Sequence, residues 1–119
     1  MPELCQGRIV WAVVPDKHGH NAYPRPVIIL TPQNEISSAT ELFGVVASNT
    51  ASRTAPRPSS YIEIPHHPLG MVRTKLKVPT VAVCEWLVSI ERSQIISTGG
   101  IVPPYVLEAV ILKVRELHE

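Results

Sequence analysis

An arginine and a threonine are among the residues of this sequence whose types could carry chemistry. Arg25 stands directly before Pro26 at the start of an apolar run, and Thr50 lies in a segment rich in serine and threonine. A guanidinium can satisfy phosphate oxygens with two parallel hydrogen bonds, and a hydroxyl can orient the same group. The structural alternatives are a surface charge for Arg25 and a turn residue for Thr50.

Two serines and one histidine extend this set of candidates. Ser48 and Ser52 flank Thr50, and a one-residue change of strand register would change which hydroxyl faces a ligand. His20 lies in the polar segment 16–24, where an imidazole could act as an acid or base near neutral pH. The alternative for His20 is a solvated loop side chain without a catalytic role.

Basic side chains are concentrated in the middle of the chain. The net charge is only +1, but segment 44–83 contains five basic residues and a single acid, Glu63. A locally basic segment on a nearly neutral chain suits a bound anion, whereas a solvated loop with scattered charges is the alternative. The basic candidates are Arg53, Arg57, Arg73 and Lys75.

The histidines do not form a metal-binding pattern. His66 and His67 are adjacent, so on an extended segment they point to opposite sides, and the Cys/His spacing of a zinc site is missing. The chain also lacks a glycine-rich motif that would cradle phosphate, and the glycine pair at 99–100 predicts a turn. We therefore expect neither a metal nor a cofactor.

Length and hydropathy predict one cytoplasmic domain over residues 1–119. The chain has 119 residues, the size of a single core. No apolar run approaches the roughly 20 residues of a membrane span, and no signal peptide is visible. Two cysteines, Cys5 and Cys84, do not make a disulfide framework.

Short apolar runs separated by Pro, Gly, Asn and Ser predict a mainly β fold with six to seven strands between about residues 7 and 96. From residue 103 to 118, apolar residues recur at the i, i+3/i+4 spacing of one helix face. Packing this C-terminal helix on a strongly curved sheet would bury both apolar surfaces. The expected architecture is a small, open, SH3-like β-barrel. The predicted strands are 8–14, 27–30, 42–47, 61–64, 78–83, 86–90 and 95–96.

Three segments taken in order resemble the MazF/PemK toxin family. GRIVW at 7–11 is similar to the family's opening strand, RPVII at 25–29 to its second strand, and VVASNTAS at 45–52 to the strand end that carries its hydroxyl residue. PTVAVCE at 79–85 and the glycine before the helix resemble the closing section. The similarity covers nearly the whole chain. It implies the small open β-barrel that these toxins share with the related toxin CcdB.

The resemblance implies the toxin component of a type II toxin–antitoxin system. Such a toxin is a metal-independent endoribonuclease that cleaves single-stranded RNA at short sequences by attack of the ribose 2′-hydroxyl, so DNA is not a substrate. It implies a homodimer and a cognate antitoxin. Arg25 matches the family's catalytic arginine and Thr50 its hydroxyl residue, and the four basic candidates would contact RNA.

Two departures from the family pattern leave other functions open. Loop 18–24 lacks the Glu or Gln that is often present in the family, and Trp86 stands where the family often has a polar residue. The Trp86 indole either stacks on a base or is half-buried in the core or in a dimer interface. A catalytically degenerate toxin or a gyrase-inhibiting, CcdB-like relative is therefore the alternative. A module that binds proline-rich ligands has little support, because such modules need an aromatic groove and only 5% of the residues are aromatic.

Overall fold

Six strands and one helix make up the computed structural model, which describes residues 3–118. The strands are β1 (Arg8–Val14), β2 (Tyr23–Ile29), β3 (Glu41–Ser48), β4 (Tyr61–Ile64), β5 (Thr80–Glu91) and β6 (Ile95–Ile101). The helix α1 is Pro104–His118, and three short 3-10 turns lie at Gln33–Glu35, Ala51–Arg53 and Arg92–Gln94. The prediction of a mainly β fold with a C-terminal helix is confirmed.

All strands belong to one antiparallel sheet in the order β4-β5-β3-β2-β1-β6. The sheet does not close, because β4 and β6 are its two edges. It is strongly curved, since β1 contacts β5 although β2 and β3 lie between them in the sheet. The observed architecture is the open form of the expected small barrel.

Neighbouring residues along the strands are buried on opposite faces of the sheet. Ile9 and Ile28 belong to one hydrophobic cluster, whereas Val10 and Val27 belong to the other. This division follows the period of two in a β-strand. Where both faces are covered, as at Ile9–Val10 and Val45–Ala47, the strands have continuous apolar runs. The curvature of the sheet encloses the second cluster, and α1 covers the first.

The helix packs against the first cluster through Val106 and Val110, both buried, with Leu107 and Val114 partly buried beside them. Its first residue is Pro104, which fits because a proline lacks the N–H that a first helical turn leaves unpaired. The carbonyl of Pro103 accepts from the backbone N–H groups of Val106 and Leu107 in the first turn. The helix was expected at about 103–118, and the observed element agrees.

The strand pattern between residues 78 and 101 differs from the prediction. The two strands expected at 78–83 and 86–90 form one continuous strand, β5, and the glycine pair at 99–100 lies inside β6 rather than in a turn. Gly100 is required because a Cβ there would overlap the backbone of Arg73 and Thr74. This close approach of two backbone segments, not a turn, explains the glycine.

Pairing between β3 and β5 is interrupted near the middle of both strands. Val45 is opposite Leu87 and Ala47 is opposite Ala82, so β5 carries extra residues between the two paired stretches. Trp86 lies among these extra residues. Such irregularities bend a strand and redirect its side chains. The first part of β5 also pairs with β4.

Within residues 3–118, no helix has the length and apolarity to cross a membrane.

Candidate active site

Arg25 is half-buried on β2, opposite Ala12 of β1. Its Nε–H donates to the carbonyl of Val14 at 3.2 Å, and its Nη2 donates to the carbonyl of Asn21 at 3.1 Å. Within residues 3–118, the guanidinium forms no ion pair and has no other hydrogen-bond acceptor. A guanidinium has five N–H donors, so three of them remain available for a ligand.

Two aromatic rings lie beside this guanidinium. The Cζ atom of Arg25 is 5.1 Å from the ring centroid of Trp86 and 6.0 Å from that of Tyr23. Trp86 is half-buried and packs against the second hydrophobic cluster, whereas Tyr23 is 65% exposed. Both distances are within the range of a cation–π interaction. The rings and the two carbonyls together restrict where the guanidinium can lie.

Arg25 and Thr50 line the same open cavity, of about 540 Å³. The volume is in the range of small-molecule binding sites. The walls combine aromatic, hydroxyl, amide and basic side chains, without a carboxylate or an imidazole. The polar and aromatic residues of the lining are Trp11, Tyr23, Arg25, Ser48, Asn49, Thr50, Thr74, Lys75, Lys77, Thr80 and Trp86.

The three candidate hydroxyls have different surroundings. Thr50 is exposed at the start of the 3-10 turn Ala51–Arg53 and makes no capping hydrogen bond with its side chain. In contrast, Ser48 Oγ accepts from the backbone N–H of Ala51 at 3.0 Å. Ser52 Oγ donates to backbone carbonyls of Asn49 and Pro79 and lines a different cavity. Of the three candidates, Thr50 therefore has the hydroxyl that lies in the Arg25 cavity and makes no hydrogen bond within residues 3–118.

Only one of the four basic candidates reaches this cavity, and it is Lys75. Arg57 forms an ion pair with Glu63 at 2.9 Å and lines the second cavity, together with Ser52. Arg53 and Arg73 are exposed and line neither of these cavities. The basic loop is thus distributed over more than one surface of the molecule.

His20 does not line the cavity either. It is exposed in the loop between β1 and β2, and its backbone N–H donates to the carboxylate of Asp16 at 3.0 Å. This hydrogen bond is the main cause that lowers the pKa of Asp16 below its usual value of 3.8, with the N–H of His18 and the Asn21 side chain contributing. Asp16 is therefore a carboxylate at neutral pH.

Lys77, Asn49 and Trp86 also line the cavity, although they were not among the predicted catalytic or basic RNA-binding residues. Lys77 belongs to the basic segment that was noted there, and its position two residues after Lys75 is the pattern that indicates it. Asn49 stands between two candidate hydroxyls. Trp86 was considered as a base-stacking or a half-buried indole, and no spacing in the sequence predicts its contact with Arg25.

Among residues 3–118, no group of three or more His, Cys, Asp or Glu side chains is placed to hold a metal.

The family of the chain follows from a match to one family model. The model of the PemK-like, MazF-like toxins of type II toxin–antitoxin systems matches residues 5–118. The chain belongs to this toxin family. The match includes every strand, the helix and all residues that line the Arg25 cavity.

Solved structures of the family have the same fold as this chain. MazF from Deinococcus radiodurans is 22% identical, with a TM-score of 0.74 over 98% of this chain and 97% of the other. Toxin MazF-mt6 from Mycobacterium tuberculosis is 18% identical, with a TM-score of 0.68 over 92% and 94%. A mycobacterial endoribonuclease in complex with its cognate antitoxin is 11% identical, with a TM-score of 0.67 over 97% and 94%. No curated protein matches the chain.

Proposed function

We propose that this chain is a metal-independent endoribonuclease that cleaves single-stranded RNA, as the toxin of a type II toxin–antitoxin system. The observation that carries the proposal is an unpaired guanidinium, Arg25, in one cavity with the free hydroxyl of Thr50. The cavity lining contains three cationic side chains, those of Arg25, Lys75 and Lys77, and no carboxylate. This charge suits a polyanion.

The chemistry requires stabilisation of charge at phosphorus. The ribose 2′-oxygen bonds to the adjacent phosphorus, and the bond from phosphorus to the 5′-oxygen breaks. The products are a 2′,3′-cyclic phosphate and a 5′-hydroxyl. Negative charge grows on the equatorial oxygens, where the free N–H donors of Arg25 can bind two of them. Thr50 donates to the same phosphate and orients it.

Proton transfer in this reaction is assigned to solvent rather than to a protein base. A threonine hydroxyl is too weak a base at neutral pH, and the cavity lining contains neither carboxylate nor imidazole. The 2′-hydroxyl loses its proton to water, and the leaving 5′-oxygen gains one from water. His20, exposed in its loop outside the lining, has no part in this scheme.

The partners follow from the same proposal. Single-stranded RNA in the cytoplasm is the substrate, and DNA binds without being cut because it has no 2′-hydroxyl. A cognate antitoxin neutralises the toxin, in keeping with the mycobacterial relative that was solved with its antitoxin. We further propose that the active form is a homodimer, as expected from the family resemblance.

The decisive experiment is primer extension on a long single-stranded RNA after incubation with the purified protein in EDTA. We expect defined cuts with 5′-hydroxyl ends from the parent and none from Arg25→Ala, while DNA of the same sequence stays intact. Arg53→Ala is the matched control, because Arg53 is an exposed arginine outside the cavity. If folded parent protein leaves RNA uncut, the alternative of a degenerate toxin replaces the nuclease. Gyrase inhibition by that protein would indicate a CcdB-like activity.

A further inference from the structure

We infer that Asp16 is a positioning residue, which holds the guanidinium of Arg25 in its working orientation by fixing the backbone of the β1–β2 loop. The inference rests on the proposed function, since it gives Asp16 a part in the reaction assigned to Arg25. Asp16 does not line the cavity. It is also the only aspartate in the sequence.

The carboxylate of Asp16 binds three donors of its own loop. Its Oδ1 accepts from the backbone N–H groups of His18 and His20, at 2.9 and 3.0 Å. Its Oδ2 accepts from Nδ2 of Asn21 at 3.1 Å. The backbone of Asp16 adds two more bonds, because its N–H donates to the carbonyl of His20 and its carbonyl accepts from Gly19. One side chain thus organises the whole turn.

Asn21 connects this turn to Arg25. Its φ is 53°, in the left-handed region that residues other than glycine seldom adopt and that asparagine tolerates best. The hydrogen bond from its side chain to Asp16 supports that conformation, and its carbonyl accepts the Nη2 of Arg25. Without Asp16, the left-handed residue loses its support, and the carbonyl is free to turn away from the guanidinium.

The other anchor of the loop does not fix the carbonyl of Asn21. Lys17 forms an ion pair with Glu85 at 3.0 Å, but both side chains are about two-fifths exposed. Exposed pairs of this kind contribute little in water. Lys17 also has no hydrogen bond to Asn21 or Arg25. Glu85 therefore provides a matched control, an acid beside the same loop that is not connected to the arginine.

The experiment compares Asp16→Ala and Asp16→Asn with Glu85→Gln in single-turnover and steady-state RNA cleavage. Misplacement of a catalytic group by about 1 Å lowers the rate of the chemical step much more than it weakens binding. Asp16→Ala should therefore lose about 10- to 100-fold in kcat. KM should stay within about threefold, because Arg25 is still present to bind phosphate. Glu85→Gln should stay close to the parent in both constants.

A charge-neutral exchange tests the hydrogen bond itself. In Asp16→Asn, the loop amides keep only a neutral acceptor, and the charge-assisted bond to Asn21 becomes at most a weaker bond between two amides. The double variant Asp16→Asn/Asn21→Asp restores the pair, since the new amide at position 16 can donate to the new carboxylate at position 21. Both residue types tolerate a positive φ. We expect the single variant to lose activity and the double variant to regain most of it.

A measurement without RNA separates this inference from the proposed function. In the parent, the nitrogen NMR signals of the Arg25 guanidinium should show slow rotation about the Cζ–Nη2 bond, and in Asp16→Ala this rotation should become fast. If the parent cuts no RNA, the nuclease proposal fails, while the NMR result still decides whether Asp16 positions Arg25. Unchanged NMR signals in Asp16→Ala, or cleavage by it at the parental kcat, would overturn the inference.

Discussion

The guanidinium carbon of Arg25 lies 5.1 Å from the centre of the Trp86 indole ring, and both residues line the same cavity. This contact brings a residue of β5 to a residue of β2, although β3 lies between the two strands in the sheet. The indole therefore belongs to the surroundings of the proposed catalytic arginine.

Replacing Trp86 tests whether the indole orients the arginine or binds a base. Trp86→Ala should lower kcat by about 2- to 30-fold, because a cation–π contact contributes about 0.5–2 kcal/mol. Trp86→Phe should retain most of the activity, since a ring stays near the guanidinium. Steady-state cleavage of a short RNA gives both constants. A rise in KM at unchanged kcat would instead make Trp86 a base-stacking residue.

Substitution of each hydroxyl separately should identify the one that acts on phosphate. Thr50→Val keeps the shape of the side chain and should lower kcat by about 100-fold, the typical loss of one donor to a developing oxyanion. Ser48→Ala and Ser52→Ala should mainly lower the free energy of unfolding, by about 1 kcal/mol each, since their hydroxyls bond the loop backbone. If Ser48→Ala or Ser52→Ala lost cleavage and Thr50→Val kept it, the assignment of Thr50 would be wrong.

Lys75 should contact phosphate, whereas Arg57 should not. The φ of Lys75 is 61°, so Lys75→Asn removes the charge while keeping a residue that tolerates this backbone. The variant should bind RNA more weakly and reduce the slope of log affinity against log salt by about 0.7. Arg57→Gln is the matched control, because Arg57 is paired with Glu63 outside the cavity. Equal slopes for both variants would exclude Lys75 from the RNA path.

Cys84 should make the fold sensitive to alkali. Burial raises the pKa of its thiol from 9.0 to about 11, so the folded protein holds the proton in a range where the unfolded chain has released it. The free energy of unfolding therefore falls as pH rises, by about 1.4 kcal/mol per unit between these two pKa values. Urea unfolding at about pH 8, below both pKa values, and at about pH 10, between them, should show a smaller fall for Cys84→Val than for the parent. Equal falls would contradict the assignment.

The helix and the central strands could be predicted from the sequence because their apolar periods differ. Apolar residues spaced three and four apart from residue 106 onward predict one face of a helix. The continuous apolar runs in β1 and β3 predict strands that contribute buried residues on both faces of the sheet. The helix prediction at about 103–118 was accurate for this reason. These features depend on local sequence alone.

The features that could not be predicted depend on contacts between distant segments. Gly100 was assigned to a turn, because glycine marks turns more often than close approaches, and only the packing of Arg73 and Thr74 against β6 explains it. No pattern in the sequence indicates that Arg57, one of the basic candidates, pairs with Glu63. The spacing of residues 25 and 50 gives no distance between them.

The same limit applies to the candidate site. The sequence identifies Arg25 and Thr50 through their resemblance to family motifs, and their presence in one cavity follows from β2 and β3 being neighbours in the sheet. Trp86 has no such motif. Its place beside Arg25 depends on the curvature of the sheet and on the interrupted pairing of β5.

That interruption between β3 and β5 also affects how relatives should be compared. A homologue with uninterrupted pairing there could match this chain at both motif residues and still present another side chain to the arginine. Alignment columns alone would hide such a difference, because the number of unpaired residues in β5 decides it. The side chain that a relative presents to the arginine is therefore better compared by strand pairing than by motif.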